Sequence, residues 1–403
     1  LPRAEEGDIA ARAPLQGGIL MRIVISASLL LLAAAAGGFF FVIPKRVDAG
    51  MNKIVPHPPN EVSAAAARLH QDLRLADLHN DALLCDRDFL SRNKRGHSDA
   101  PRLTEGRFRL IVLSSVTKTP RNLNYTENDA SSDTITALVI AQRWPLKTWG
   151  SLAERALHHA ALAESAARRS NGAVAVARTK TELEAAEAAG ALAVILATEG
   201  AHPLEGDLAN LDRLYDAGFR MLGLQHFFDN ELGGSLHGVS NAGLTDFGRA
   251  AVIAAEKRGM IIDVAHSSEA VVRDVLAITT SPLVVSHTDM RGHCENDRNF
   301  SDDLMREIAA RGGLVGIGFW DGAVCEASLG SIAAAIAYAI ETLGVDHVAL
   351  GSDFDGATTV PFDAAEAASL TNALLDQGLV EADIRAVMGE NAARFFKDHL
   401  PAE

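Results

Sequence analysis

Cysteine is scarce in this chain of 403 residues, which has three: Cys85, Cys294 and Cys325. Neither a disulfide framework nor a CxxC zinc site can be built from them, although one bridge is possible. Aromatic residues are also few, at 5%. Positive charge is in deficit, with 37 Lys and Arg against 52 Asp and Glu, a net charge of −15. So acidic a surface repels phosphate backbones and excludes nucleic acid as an expected partner. No Gly-rich phosphate turn follows the first strand-like run, which ends Asp77-Leu78-His79-Asn80-Asp81. An open dinucleotide-binding sheet usually carries such a turn. The balance that remains, 48% hydrophobic and 22% charged, is that of a globular protein and not of a disordered or fibrous one.

Charge is missing altogether from Ile23 to Ile43, a run of twenty-one residues. At about 1.5 Å rise per residue such a helix spans a hydrocarbon core of about 30 Å. The expectation is a membrane anchor with the catalytic part in the periplasm or outside the cell. The alternatives are a cleaved signal, since Val47-Asp48-Ala49 offers a small-residue cleavage site, and a buried core helix. Positive residues on both flanks (Arg22, Lys45 and Arg46) leave the orientation open. Residues 1–22 read as an unstructured extension, 44–61 as a linker, and 62–403 as the folded domain. The sequence ends without an apolar tail, so no C-terminal lipid anchor is expected.

Beyond Pro59, short β-type runs alternate with helical patterns. The runs are Leu75–His79, Phe108–Val116, Ala191–Thr198, Phe219–His226, Met260–His266, Leu283–His287, Leu314–Phe319 and His347–Ser352. They are rich in Val, Ile and Leu on both faces, as strands of a helix-covered parallel sheet should be. Eight such units predict a (β/α)₈ barrel. Ala173–Ala177 is a further short run of the same kind, which leaves open whether one of the eight is misassigned. Thr181-Glu182-Leu183-Glu184 reads as a capping box, and Ser301 as an N-cap with Asp302 and Asp303 in the first turn and Gly312 as the stop.

Polar residues recur where these runs end: His79 with Asp81, Glu199, His226, His266, His287 and Asp353. Taken singly, each has a plainer reading as a helix cap, a solvated loop residue or a satisfied core histidine. Together they would form a ring at the barrel mouth, where buried charge is costly unless it is paired or binds metal. His79 and Asp81 are two apart and share one face of an extended strand. Histidine and carboxylate donors suit Zn²⁺, with Mn²⁺ or Co²⁺ as substitutes. The donors are too many for one four-coordinate ion. Two ions need a bridging carboxylate, for which Glu199 is the candidate. A bridging hydroxide would attack a carbonyl, and Asp353 would take and return the proton. His158, His159, His237, His293 and His347 fit no ligand spacing and read as structural or surface residues.

Asp77-Leu78-His79-Asn80-Asp81, Glu199-Gly200, Asp263-Val264-Ala265-His266-Ser267-Ser268, Ser286-His287-Thr288, Arg298-Asn299, Gly351-Ser352-Asp353-Phe354-Asp355-Gly356 and Gly389-Glu390-Asn391 occur in this order. From about Val62 onward the chain resembles the membrane dipeptidase (renal dipeptidase) family of zinc peptidases. The resemblance implies an amidohydrolase-type barrel with two zinc ions and a dipeptide substrate. It implies that His79 and Asp81 hold one ion, that His266 and His287 hold the other, and that Glu199 bridges them. It further implies that His226 contacts the scissile carbonyl oxygen, Arg298 the substrate carboxylate, and that Asp353 is the catalytic acid–base. A guanidinium fork suits a carboxylate, which accords with that role for Arg298. The rival readings are another amidohydrolase reaction, on an acylamino acid, lactam or ester, and a degenerate binding protein. A homodimer is compatible with all of these.

Overall fold

The computed structural model describes residues 15–403, with side chains from residue 20. Residues 1–14 of the expected extension lie outside the described residues. Residues 15–22 do not form an unstructured tail but open a helix, Leu15–Gly37. A π-helical turn at Gly38–Val42 joins it to a second helix, Ile43–Met51, with Pro44 in the first turn of the latter. Proline has no N–H to donate to the preceding turn, and a π turn is the usual accommodation. The span Leu20–Met51 is long and apolar enough to cross a membrane, and its most apolar window is 0% buried. That overturns the core-helix reading for the most apolar part of the segment; only its last residues touch the body, where Arg143 donates to Phe40 O at 3.2 Å and lies over the Phe41 ring.

Eight parallel strands close into a barrel: β1 (Leu75–Asn80), β2 (Phe108–Leu113), β3 (Leu192–Thr198), β4 (Phe219–Gly223), β5 (Ile261–Asp263), β6 (Val284–Thr288), β7 (Leu314–Ile317) and β8 (Val348–Leu350). Each pairs with its neighbours in sequence, β8 returns to β1, and β2 pairs with β3 to complete the ring. Nearly every strand residue is buried, because one face meets the barrel interior and the other the helices. The run at Ala173–Ala177 is a real strand, Val174–Val176, but it pairs only with β3 and lies outside the ring. Several strands are shorter than their apolar runs predict. β5 stops at Asp263, and His266 stands at φ +62°, a left-handed conformation that no strand can continue.

Two sequence readings shift. The helix expected to be capped at Thr181 begins at Lys180, and its cap is Thr179, which accepts from Glu182 N; Thr181 Oγ1 donates instead to Ala402 O at 2.9 Å. Ser301 does precede its helix, Asp302–Ala310, but its side chain makes no capping bond. The stretch read as a linker is partly built into the body. Pro44 and Asp48 are buried, and Lys53–Ile54 forms a two-stranded parallel sheet with Thr359–Val360.

Candidate metal centre

The C-terminal ends of the strands carry the predicted residues to one point. His79 lies within β1 and Asp81 just beyond it; Glu199 follows β3, and His287 lies in β6. His226, His266 and Asp353 sit on the loops that leave β4, β5 and β8. Glu199 Oε1 is the centre of the cluster. It lies 3.3 Å from His226 Nε2, 3.3 Å from His266 Nε2, 3.5 Å from His287 Nε2 and 3.6 Å from His79 Nε2. His79 Nε2 is 3.5 Å from Asp81 Oδ2 and 4.0 Å from Asp353 Oδ1. Three overlapping sets of donors come close enough to share an ion: His79 with Asp81 and Glu199, His79 with His287 and Asp353, and Glu199 with His226 and His266.

The donors are also poorly satisfied by the protein. Among the described residues, both oxygens of Asp81, Nε2 of His79 and Nδ1 of His266 are buried without a hydrogen-bond partner. Buried polar atoms are seldom left so, and a cluster of them needs a ligand to account for it. His266 Nε2 and His287 Nε2 stand 2.9 Å apart. Arg298 Nη2, which can only donate, lies 3.3 Å from His266 Nε2, so that nitrogen presents its lone pair. The chemistry of the set, imidazoles with carboxylates, fits divalent cations.

Electrostatics divide the histidines. Burial opposes charge on His79, but the Glu199 and Asp81 carboxylates outweigh it and raise its pKa well above the ordinary value. Burial keeps His266 neutral, helped by the charge of Arg298, and holds its pKa well below the usual range. The same holds for His287, beside His79. Burial raises the carboxyl of Asp353 well above its usual range, and the charges of Glu199 and Asp81 add to this.

Supporting groups fix the donors. Ser286 Oγ donates to Asp263 Oδ2 at 2.6 Å and lies 2.9 Å from His287 Nδ1. Asp77 accepts from Ser352 N at 2.8 Å and from Ser352 Oγ at 2.6 Å, tying β1 to the turn before Asp353. Asp355 accepts from Ser98 Oγ at 2.7 Å and from His97 N at 2.7 Å. Both Asp353 (φ +55°) and Asp355 (φ +68°) are left-handed. Such backbone costs energy and tends to be kept at functional sites. Gly356 must lack a side chain, since a Cβ there would fall 1.8 Å from Asp353 Oδ1.

Arg298 is fully buried beside the cluster. Its Nη2 donates to His287 O at 2.6 Å, while Nε and Nη1 have no partner among the described residues. Its guanidinium lies 5.4 Å over the Trp320 ring, and Trp320 Nε1 donates to Tyr125 Oη at 2.8 Å. A disulfide, Cys294–Cys325, joins the loop of Arg298 to the turn after Trp320. Trp320 and Tyr125 were not among the residues the sequence singled out. The one available signal was that Trp320 closes the β7 run at the level of the other strand ends.

These observations can be set beside known proteins. The family model for membrane dipeptidases (peptidase family M19) matches residues 63–401. The chain belongs to the membrane dipeptidase family. A curated relative of this family member, the dipeptidase aclJ of Aspergillus oryzae, is 33% identical over 219 residues, 52% of each chain. An uncharacterized dipeptidase of Schizosaccharomyces pombe is 28% identical over 221 residues, 52% of this chain and 53% of that one. The chain thus spans about half the length of the curated relatives it matches. Among solved structures, a metallo peptidase from Rhodobacter sphaeroides, liganded with a phosphinate mimic of the dipeptide L-Ala-D-Ala, is 25% identical with a TM-score of 0.64. The match covers 81% of this dipeptidase family member and 99% of that chain. The probable dipeptidase PvdM of Pseudomonas aeruginosa shares the fold at 21% identity and a TM-score of 0.69, covering 83% and 98% of the two chains.

Proposed function

We propose that this chain is a metal-dependent dipeptidase that takes two divalent ions, zinc being the ion its donors suit best, with Mn²⁺ or Co²⁺ as substitutes. The observation that carries the reading is the convergence of four imidazole nitrogens on one carboxylate oxygen, Glu199 Oε1, beside a buried guanidinium with two free donors. His79 and Asp81 would hold one ion and His266 and His287 the other, with Glu199 shared. When bound, the ions polarise the scissile carbonyl and lower the pKa of water, so that a nucleophile exists at neutral pH.

The remaining work falls to residues of the chain. Arg298 Nε and Nη1 form the fork that receives the substrate's free carboxylate, with Trp320 beneath it. This limits hydrolysis to a peptide bond one residue from the C-terminus. His226 Nε2 donates to the carbonyl oxygen as charge develops there, a contribution of about 3–4 kcal/mol for a well-placed donor. Asp353, whose carboxyl is held above its usual range by burial, takes a proton from water and returns it to the leaving amine. The N-terminal helix serves as the membrane anchor, with the barrel in the periplasm or outside the cell.

The test is metal analysis together with a substrate panel. Purified full-length protein should carry close to two divalent ions per chain, cleave dipeptides, and leave dipeptide amides, which lack the free carboxylate, largely intact. Chelation should abolish activity reversibly. A Glu199→Ala variant that retains both ions would overturn the bridging role.

A further inference from the structure

One cavity of about 510 Å³ holds both the metal centre and a face of the N-terminal helix. Phe39, Ile43, Val47 and Met51 line it, each four residues from the next. That spacing puts them on one stripe of a helix, and the turns from Phe39 onward stand at the barrel, which leaves only the turns before them, from Leu20 to Gly38, to cross a bilayer. The stripe faces Leu84, Val116 and Leu138 across the cavity, while Asp81, Glu199, Arg298 and Asp353 line its polar part.

The helix is fastened in place. Buried Asp48 accepts from Arg95 Nε at 2.8 Å and Asn52 Nδ2 at 3.1 Å, and Arg87 Nε lies 3.4 Å away. Arg87 Nη2 also reaches Asp355 Oδ1 at 2.8 Å. Asn52 Oδ1 accepts from Ala357 N at 2.9 Å, and Lys53 and Ile54 pair with Thr359 and Val360. Residues 48–54 are therefore bonded to the loop that carries Asp353.

Asp81, Glu199, Arg298 and Asp353 line one cavity, so a dipeptide held with its carboxylate on Arg298 and its peptide bond at Glu199 would have its amino-terminal residue left to the side of Asp81 and Asp353. On that side Asn52 meets both Ala357 and Cys85 Sγ (3.8 Å), and the stripe ends at Met51.

We propose that the stripe Phe39–Ile43–Val47–Met51 is the outer wall of the pocket for the side chain of the substrate's amino-terminal residue. The enzyme then selects dipeptides whose first residue is large and apolar. This rests on the dipeptidase reading of the site and adds to it that the membrane-proximal helix sets specificity.

The experiment uses the full-length, metal-loaded protein in lipid nanodiscs and compares kcat/KM for Leu-Ala and Gly-Ala. The wild type should favour Leu-Ala by about tenfold or more, since apolar pockets discriminate by roughly 10–200-fold per methylene. A double variant, Ile43→Ser with Val47→Ser, should lower the Leu-Ala to Gly-Ala ratio about tenfold. Val47→Phe fills the same space and should lower the ratio by crowding, so the outcome does not hang on one variant folding. Equal kcat/KM for the two dipeptides in the wild type, or a ratio within twofold of wild type in both variants, overturns this inference and leaves the dipeptidase reading standing. Failure of the wild type to cleave either dipeptide overturns both.

Discussion

At the N-terminal end of the barrel strands lies the larger cavity, about 690 Å³, lined by Arg74, Arg107, Arg109, Arg394 and Lys397 among others. At the opposite end the cavity around Glu199 has about 510 Å³. The first is rich in charge, but its groups are mostly engaged. Lys397 pairs with Glu187 at 2.7 Å and Arg394 with Asp346 at 3.4 Å. Arg385 pairs with Glu381 at 2.7 Å. Arg107 Nε is the one lining group there that is buried without a partner among the described residues. Among the described residues, Asp81, His266 and Arg298 of the second cavity keep unpaired buried atoms, as does His79 of the same cluster. Volume does not distinguish the two ends. Buried polarity that the protein leaves unsatisfied does, because it persists only where a ligand satisfies it.

The contrast breaks most sharply at the carboxylates. Asp353→Asn should lower kcat by about 10²–10⁴, the usual contribution of a positioned acid–base, with the fold intact by circular dichroism. Arg394→Ala, at the far cavity, should leave kcat/KM within twofold. Similar losses from both would erase the distinction.

The arginine at the mouth comes next. Arg298→Ala should cost a dipeptide about one to two decades in kcat/KM, the equivalent of roughly 1.5–3 kcal/mol for a charge-assisted bond. A dipeptide amide, which lacks the carboxylate, should lose little. Arg298→Lys should not recover full activity, since an ammonium cannot reproduce the planar fork. Equal losses on acid and amide would make Arg298 merely structural.

Gly356 sharpens the comparison between a site that needs space and a core that fills it. Gly356→Ala sets a methyl against Asp353. Activity should fall by at least tenfold while the melting temperature moves by only a few degrees, as expected for about 1 kcal/mol in a chain of this length. Unchanged turnover would show that Asp353 can move aside freely.

The smallest effect separates catalytic histidines from buried structural ones. Burial lowers His159 and His202 to about 3 and His70 to about 4. The unfolded chain takes up these protons below about pH 6.5, and the folded chain does not until the pH approaches those lower values. Their contribution to stability is therefore complete above pH 6.5 and is lost as the pH falls. The slope reaches about 1.4 kcal/mol per pH unit for each group. Denaturant midpoints between pH 7 and pH 4 test this, and His159→Gln should flatten the curve. A midpoint independent of pH would show that these rings take up protons alike in the folded and unfolded chain, so that burial does not lower them.

Much of the barrel and the metal centre was legible because one physical signal marks both. An apolar run that terminates in His, Asp or Glu shows a strand end and a mouth residue at once, as at His79, Glu199 and His287. The signal fails where the chain leaves regular structure. Trp320 and Tyr125 come from loops separated by nearly two hundred residues, and no periodicity couples them. The strand Val174–Val176 has the same composition as a barrel strand, and only its pairing, with β3 alone, keeps it from the ring. Asp48 was read as part of a linker because its partners Arg87 and Arg95 lie some forty residues on. A buried ion pair leaves no local pattern in sequence.

That aspartate changes what removal of a leader would mean. Signal processing after Ala49 would discard Asp48 and leave a new α-ammonium on Gly50. The cleaved chain would lose the anion that Arg95 and Arg87 share and gain a cation two residues away. Arg87 would keep Asp355, but the loop of Asp353 would be supported from one side instead of two. In this dipeptidase family member, maturation by cleavage would be an electrostatic event at the loop of Asp353. A chain shortened at residue 46 and one shortened at residue 49, three residues apart, would then behave as different enzymes.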